Sequence, residues 1–168
     1  VTSYDFITGG TGSGDVNEAY TVSLEEGLAT AQLQSAIVSE APEPLSERVV
    51  YEIAKTPKEA FTAHREANAE AFVKPEGFNA MFQPYDPPEF LLTPEELAQT
   101  AEEADVAIIT IGRNSGEGGD RRKVDDFLLS QTEQEMIAST CNAFHARDKD
   151  VIVVLNIGGV IETASWKE

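Results

Sequence analysis

Six consecutive residues near the middle of the chain read Val106-Ala107-Ile108-Ile109-Thr110-Ile111. This run is apolar on both faces, which is typical of a strand buried inside a parallel sheet. A second apolar run of strand length follows at 151–155. Between the two, Ser130 and Glu133 form a capping-box pattern, and the apolar residues within 136–144 fall on one helical face. The order strand, loop, helix, strand predicts a βαβ unit with parallel strands and a right-handed crossover.

Another helix start precedes this unit. Thr93 and Glu96 have the spacing of a capping box, and Pro94 occupies the first helical position. The predicted helix runs to about Ala104 and leads directly into the first strand. Four other stretches carry weaker patterns. The predictions are a helix over 24–30 capped by Ser23, two helical pieces within 46–72 broken at Pro57, an irregular loop over 73–92, and a helix beginning over 160–166.

Composition excludes several classes of function. The chain has 168 residues, of which 41% are hydrophobic, and these values fit one ordinary globular domain. Its net charge of −18 argues against nucleic acids and against anionic membranes, but it would not repel a neutral sugar. No apolar run approaches the roughly 20 residues that a membrane helix needs. A soluble protein is expected, and the compartment stays open between cytoplasmic and secreted.

Metal and thiol chemistry find little support in the sequence. His64 and His145 lie far apart, and neither has a second metal ligand at helical spacing. Cys141 is the single cysteine, so no internal disulfide is possible, and it lies on the apolar face of a predicted helix. A buried, unreactive thiol is the usual outcome for such a position. We therefore expect no metal site and no cofactor.

The segment between the first strand and its following helix, residues 112–130, is the most unusual feature of the chain. Such connections normally take about 2–6 residues, and much longer ones tend to be functional or disordered. It leaves the carboxyl end of a buried strand, where parallel sheets bind ligands. Glu117 lies between glycines, Asp120 could pair with Arg121, and Arg113 could orient a carboxylate. From the residues alone, a flexible charged loop and a catalytic carboxylate both remain open.

A glycine-rich stretch, Gly9-Gly10-Thr11-Gly12-Ser13-Gly14, lies near the start of the chain. It lacks the lysine of a phosphate-binding loop, and Asp15 stands where a dinucleotide-binding motif has its last glycine. An aspartate there would also repel phosphate. Two interpretations stay open: a connection rich in turns, or close approach to a neutral ligand with Ser13 as hydrogen-bond donor.

Four motifs in order resemble the second domain of family 3 glycoside hydrolases of the β-glucosidase and β-xylosidase type. They span most of the chain, whereas residues 30–92 resemble the family only loosely. The motifs are residues 9–15, residues 104–108, Ser115-Gly116-Glu117-Gly118-Gly119-Asp120-Arg121, and Val153-Val154-Leu155-Asn156-Ile157-Gly158-Gly159 followed by Ile161-Glu162.

This resemblance implies an α/β fold, a three-layer sandwich whose mostly parallel sheet is flanked by helices. It also implies that residues 1–168 are a fragment of that second domain, truncated at both ends. In the family, a barrel domain supplies an aspartate nucleophile, and no barrel sequence is present in this chain. The resemblance implies that Glu117 is the general acid/base and that Ser13 lies close to the bound sugar.

The expected function is therefore hydrolysis of β-glycosidic bonds by a retaining mechanism in the parent enzyme. The expected partners are a β-linked oligosaccharide or glycoside substrate, the barrel domain of the same parent chain, and further copies of the fragment. The isolated fragment is expected to be inactive. The alternative is a non-catalytic carbohydrate-binding or scaffold module of the same fold, because fold does not determine function.

Overall fold

The computed structural model describes residues 1–12, 19–30, 52–75, 85–114 and 120–167. Within them, helices accompany a small two-stranded parallel sheet, so the predicted α/β class is confirmed. The elements are α1 (Leu24–Thr30), α2 (Lys55–Ala67), α3 (Pro94–Glu103), β1 (Val106–Arg113), α4 (Gln131–His145) and β2 (Asp150–Ile157), with a 3₁₀ turn at Ala69–Phe72 and a wide turn at Lys123–Phe127.

The two strands pair in parallel, as the βαβ pattern predicts. Their register runs from Val106 opposite Asp150 to Arg113 opposite Ile157. β1 therefore continues two residues beyond the predicted end at Ile111, because Gly112 and Arg113 still pair with β2. This extension carries the start of the long loop to the carboxyl edge of the sheet. The crossover helix α4 packs on both strands.

Reciprocal capping boxes begin three of the helices. The Glu96 amide donates to Thr93 Oγ1 at 3.2 Å, and the Glu96 carboxylate accepts from the Thr93 amide at 2.8 Å. Ser130 and Glu133 do the same at the start of α4. At α1, Ser23 acts as the predicted cap, and Glu26 completes the box. The hydrogen bonds from the Ser23 amide and hydroxyl lower the pKa of Glu26. Each box satisfies amides that a helix start leaves without partners.

Other local predictions have mixed outcomes. Helix α2 begins at Lys55 and keeps Pro57 within its first turn, where proline is tolerated. The helical piece expected between 46 and Pro57 falls largely on 46–51, outside the described residues, and residues 52–54 form no helix. Residues 73–75 and 85–92 contain no helix or strand, as expected for the irregular loop, and 76–84 are likewise not described.

The helix expected to begin over 160–166 is wrong for the described residues, which form a single turn at 164–166. The Val160 carbonyl accepts a hydrogen bond from the Arg121 guanidinium, and the Glu162 amide donates to the Phe127 carbonyl at 2.9 Å. These tertiary bonds take backbone groups at the start of the segment. In a helix, the Val160 carbonyl would instead bond within the helix.

Two apolar clusters hold the described parts together. The first joins the sheet to α4 and the residues after β2. The second joins the start of the chain to α2. Their buried members are Ile109, Ile111, Leu129 and Ile137 in the first, and Val1, Phe61 and Phe72 in the second. Cys141 is half-buried against the first cluster, and burial raises the pKa of its thiol, which agrees with the expected unreactive cysteine.

Candidate functional site

Glu117 and Ser13, the two predicted site residues, lie outside the residues that the structure describes. The chain on either side of each is described, so the site is built from its fixed surroundings. Residues 115–119 connect Asn114, just after β1, to Asp120.

Arg113, the last residue of β1, anchors the start of this connection. Its Nη1 donates to Glu133 Oε1 at 2.5 Å, and its Nη2 donates to Glu133 Oε2 at 2.7 Å. Its Nε donates to the Asp126 carbonyl at 2.7 Å. The two side chains of the pair are only 10% and 5% exposed. Burial alone would lower the pKa of Arg113, but Glu133 and the nearby carboxylates of Asp126 and Asp86 raise it. Arg113 does orient a carboxylate, as the sequence suggested, and that carboxylate is Glu133.

Glu133 serves two purposes at once. Its Oε2 accepts from the Ser130 amide at 2.8 Å and so completes the cap of α4. The same carboxylate binds Arg113 at two points. The start of α4 and the start of the long loop are therefore fixed to each other through one buried side chain.

Arg121 anchors the other end of the connection. Its Nε donates to Asp126 Oδ1 at 2.7 Å, and its Nη2 lies 2.6 Å from the same oxygen. Its Nη1 donates to the Val160 carbonyl. The pairing with Asp120 that the sequence allowed does not form: the Arg121 guanidinium binds Asp126, and Asp120 is exposed. The other oxygen of Asp126 accepts from the Arg122 amide at 3.0 Å, which fixes the carboxylate in turn.

The segment that leads into the glycine-rich stretch reaches the same edge of the sheet. The Ile7 amide donates to Asn156 Oδ1 at 3.0 Å, and Asn156 Nδ2 donates to the Ile7 carbonyl at 3.1 Å. Asn156 pairs in register with Gly112. A Cβ at Gly112 would lie 2.3 Å from Thr2 Cγ2 and 2.9 Å from Ile7 Cδ1, so only glycine leaves room for this segment.

The start of the chain is held further along β1 as well. Thr2 Oγ1 donates to the Thr110 carbonyl at 3.1 Å, and the Ser3 and Thr110 hydroxyls lie 2.7 Å apart. Gly12, the last described residue before Ser13, has a φ of 68°, which glycine adopts without strain. The described flanks of Ser13 and of Glu117 therefore both start from the carboxyl edge of the two strands.

The residues after β2 complete this edge. Gly159 lies against Arg121: a Cβ there would be 2.9 Å from Arg121 Nη1.

Among the described residues, no group of three or more histidine, cysteine, aspartate or glutamate side chains could hold a metal ion. In the same part of the chain, no helix is both long and apolar enough to cross a bilayer.

The described parts of three sequence motifs thus meet at one sheet edge. The model of the glycosyl hydrolase family 3 C-terminal domain matches residues 4–168. The chain belongs to this family. The resemblance inferred from the sequence motifs is confirmed.

Known members of glycosyl hydrolase family 3 support the assignment. Beta-glucosidase A of Butyrivibrio fibrisolvens is 29% identical over 98% of this chain and 19% of its own length. Beta-glucosidase 3B of Thermotoga neapolitana, solved in complex with glucose, superposes with a TM-score of 0.69 at 35% identity, over 98% of this chain and 20% of that one. A beta-glucosidase of Paenibacillus barengoltzii gives a TM-score of 0.72 at 25% identity, over 98% of this chain and 15% of that one. The chain spans at most about a fifth of the length of these relatives.

The sequence alone did not reveal two of the carboxylates at the carboxyl edge of the sheet. Glu133 was identified only as a helix cap, and Asp126 was not identified. They lie 20 and 13 positions from Arg113, and no local pattern links residues so far apart. Asn156 was noticed within a motif, but its contact with Ile7 spans 149 positions.

Proposed function

We propose that this chain is part of the second domain of a retaining β-glycosidase and that Glu117 is its general acid/base. The proposal is carried by the anchoring of both ends of the Glu117 connection. Arg113 and Arg121 bind carboxylates on either side of residues 115–119, at the carboxyl edge of a parallel sheet.

The chemistry fits a glutamate presented from outside the sugar pocket. Retaining enzymes use two carboxyl groups about 5–5.5 Å apart, one as nucleophile and one as acid and then base. The nucleophile would come from another domain of the parent enzyme. The beta-glucosidases that this chain resembles are about five times as long, which leaves room for that domain.

The substrate class proposed is a β-linked glucoside or related glycoside, and Ser13 is the proposed sugar contact from this chain. Support comes from the names of the relatives and from the Asn156 bonds that hold Ile7, six positions before Ser13, at the same edge as Gly112. In the parent enzyme, Ser13→Ala should weaken binding of a neutral sugar, and Thr62→Ala, which removes an exposed hydroxyl on α2, would be the control. An unchanged KM for Ser13→Ala would remove this residue from the site.

The isolated chain should have no glycosidase activity. It would supply no nucleophile, and a glutamate in water titrates near about 4.3, so it is mostly ionised and donates a proton poorly at neutral pH. Burial and a neighbouring carboxylate, which the parent would supply, raise that pKa toward the working range.

The experiment is Glu117→Ala in the full-length parent enzyme. Loss of the acid/base should lower turnover of natural glycosides by about 10²–10⁴-fold. Substrates with good leaving groups should still form the glycosyl-enzyme, and added azide should restore turnover by producing a β-glycosyl azide. Unchanged hydrolysis of natural glycosides would contradict the proposal and would favour the alternative, a non-catalytic carbohydrate-binding module.

A further inference from the structure

We propose that Arg122, Lys123, Val124 and Val160 form a docking surface for another domain of the parent enzyme. The partner that fits this surface is a protein face with apolar side chains at its centre and acidic side chains at its rim. The inference goes beyond the proposed role of Glu117, and all four residues lie in the described range 120–167.

Two large apolar side chains of the docking surface are open to solvent in this chain. Val124 is 63% exposed and Val160 is 73% exposed. They belong to separate segments, which two hydrogen bonds join. The Arg121 guanidinium donates to the Val160 carbonyl, and the Glu162 amide donates to the Phe127 carbonyl at 2.9 Å. The two valines therefore lie on one bonded pair of segments, just beyond the carboxyl ends of β1 and β2.

The wide turn leaves Val124 in solvent while the side chain of Asp126 is turned inward. The Asp126 carboxylate accepts from Arg121 Nε at 2.7 Å and from the Arg122 amide at 3.0 Å, and this side chain is only 17% exposed. Between Val124 and Asp126, Asp125 has a φ of 55°, a left-handed conformation that is uncommon for residues other than glycine. The turn is thus fixed before any partner arrives. A fixed surface loses little conformational entropy on binding.

Arg122 and Lys123 give the docking surface a charge opposite to that of the whole chain. Both residues are exposed, and neither side chain forms an ion pair with another described residue. The chain as a whole carries a net charge of −18. A symmetric contact with a second copy is disfavoured, because it would place these cations against their own copies. An acidic rim on a different domain would complement them.

The lengths of the relatives indicate where that domain would come from. This chain spans 19% of beta-glucosidase A of Butyrivibrio fibrisolvens and 20% of beta-glucosidase 3B of Thermotoga neapolitana. Most of a parent enzyme of that size lies outside this chain. A domain tethered in the same polypeptide is present at high effective concentration, so a small surface is enough to hold it.

The test measures the reaction of introduced thiols in the full-length parent enzyme without substrate. Val124→Cys and Val160→Cys are compared with Val73→Cys, because Val73 is 70% exposed but lies outside the docking surface. Each rate of modification is divided by the rate for the same variant in urea, and the natural parent serves as the blank for its own cysteines. Val124→Cys and Val160→Cys should react about 10–100-fold more slowly than Val73→Cys, because the contact must open first.

Charge reversal tests the acidic rim of the partner. Lys123→Glu, combined with Val160→Cys, should raise the rate of modification about tenfold, because it sets like charges against each other. Lys55→Glu is the matched control, since Lys55 is also exposed but lies at the start of α2. Unchanged protection in Lys123→Glu would remove the acidic rim from the proposal.

Three other outcomes would overturn the docking surface itself. The first is equal reactivity of Val124→Cys, Val160→Cys and Val73→Cys in the native enzyme. Protection that disappears on dilution would assign the surface to a second copy, and protection that appears only with bound glucose would assign it to the substrate. Thiol modification requires no catalysis, so the result does not depend on the outcome for Glu117→Ala.

Discussion

The guanidinium of Arg113 meets the carboxylate of Glu133 at two points, with donor–acceptor distances of 2.5 Å and 2.7 Å, and both side chains are shielded from solvent. Removing one partner of a buried pair leaves the other charge without compensation, which typically costs about 3–5 kcal/mol. Arg113→Met should therefore lower the free energy of unfolding of this chain by that amount, as measured by urea denaturation.

Arg147→Met is the matched control for this measurement. Its partner Glu102 is 72% exposed, and an exposed pair contributes about 0–1 kcal/mol. Equal losses of unfolding free energy in the two variants would show that the pair of Arg113 and Glu133 is not buried as described.

Gly112→Ala should destabilise the chain by overpacking. The new methyl group would lie 2.3 Å from Thr2 Cγ2 and 2.9 Å from Ile7 Cδ1, and such crowding costs about 1–3 kcal/mol. Adding Thr2→Ser should recover part of the loss, because serine lacks Cγ2 but keeps the hydroxyl that donates to Thr110. Gly27→Ala in α1 should have the opposite sign and stabilise by about 0.5–1 kcal/mol. Thermal unfolding of these three variants beside the natural chain tests all three statements, and an unaffected Gly112→Ala would contradict the close contact.

Stability should fall at alkaline pH partly because of Tyr4. Burial, with a smaller effect of Glu25, raises the pKa of its phenol from 10.0 to about 12. The folded state therefore favours the neutral phenol. The corresponding stability is fully present below pH 10 and is lost as the pH rises through 12. Over that interval the natural chain should lose unfolding free energy relative to Tyr4→Phe, because phenylalanine has no proton to lose. Parallel curves for the two proteins would rule this out.

The isolated chain should self-associate through β2. Among the described residues, no strand covers the edge of β2 away from β1, and Ile152 in that strand is 49% exposed. Uncovered strand edges pair readily. The charge of −18 opposes association, but salt screens it beyond about 8–10 Å. Light scattering should detect oligomers that Ile152→Lys disperses and that Val73→Lys, at an exposed position on another segment, does not. A strict monomer at high concentration would contradict this prediction.

The features that could be predicted from the sequence are those that depend on residues close together in the chain. The three helix caps each join residues three positions apart, and the strands follow from continuous apolar runs. The family motifs placed the two site residues in the chain, and their roles remain predictions. The failures have a shared cause. Arg121 binds Asp126 where Asp120 was expected, and its bond to Val160 takes a carbonyl that the expected final helix would have used. Both results depend on how distant segments pack, which local spacing does not encode.

The contact between Ile7 and Asn156 has a consequence for how the protein is made. The two residues are separated by 149 positions, and translation adds about 5–20 residues per second, so Asn156 is synthesised roughly 7–30 s after Ile7. During that interval the glycine-rich segment has emerged before its partner exists. Within this chain, the proposed sugar-binding segment is therefore translated before the residue that fastens it, and Ile7 cannot be held in place until Asn156 has been made.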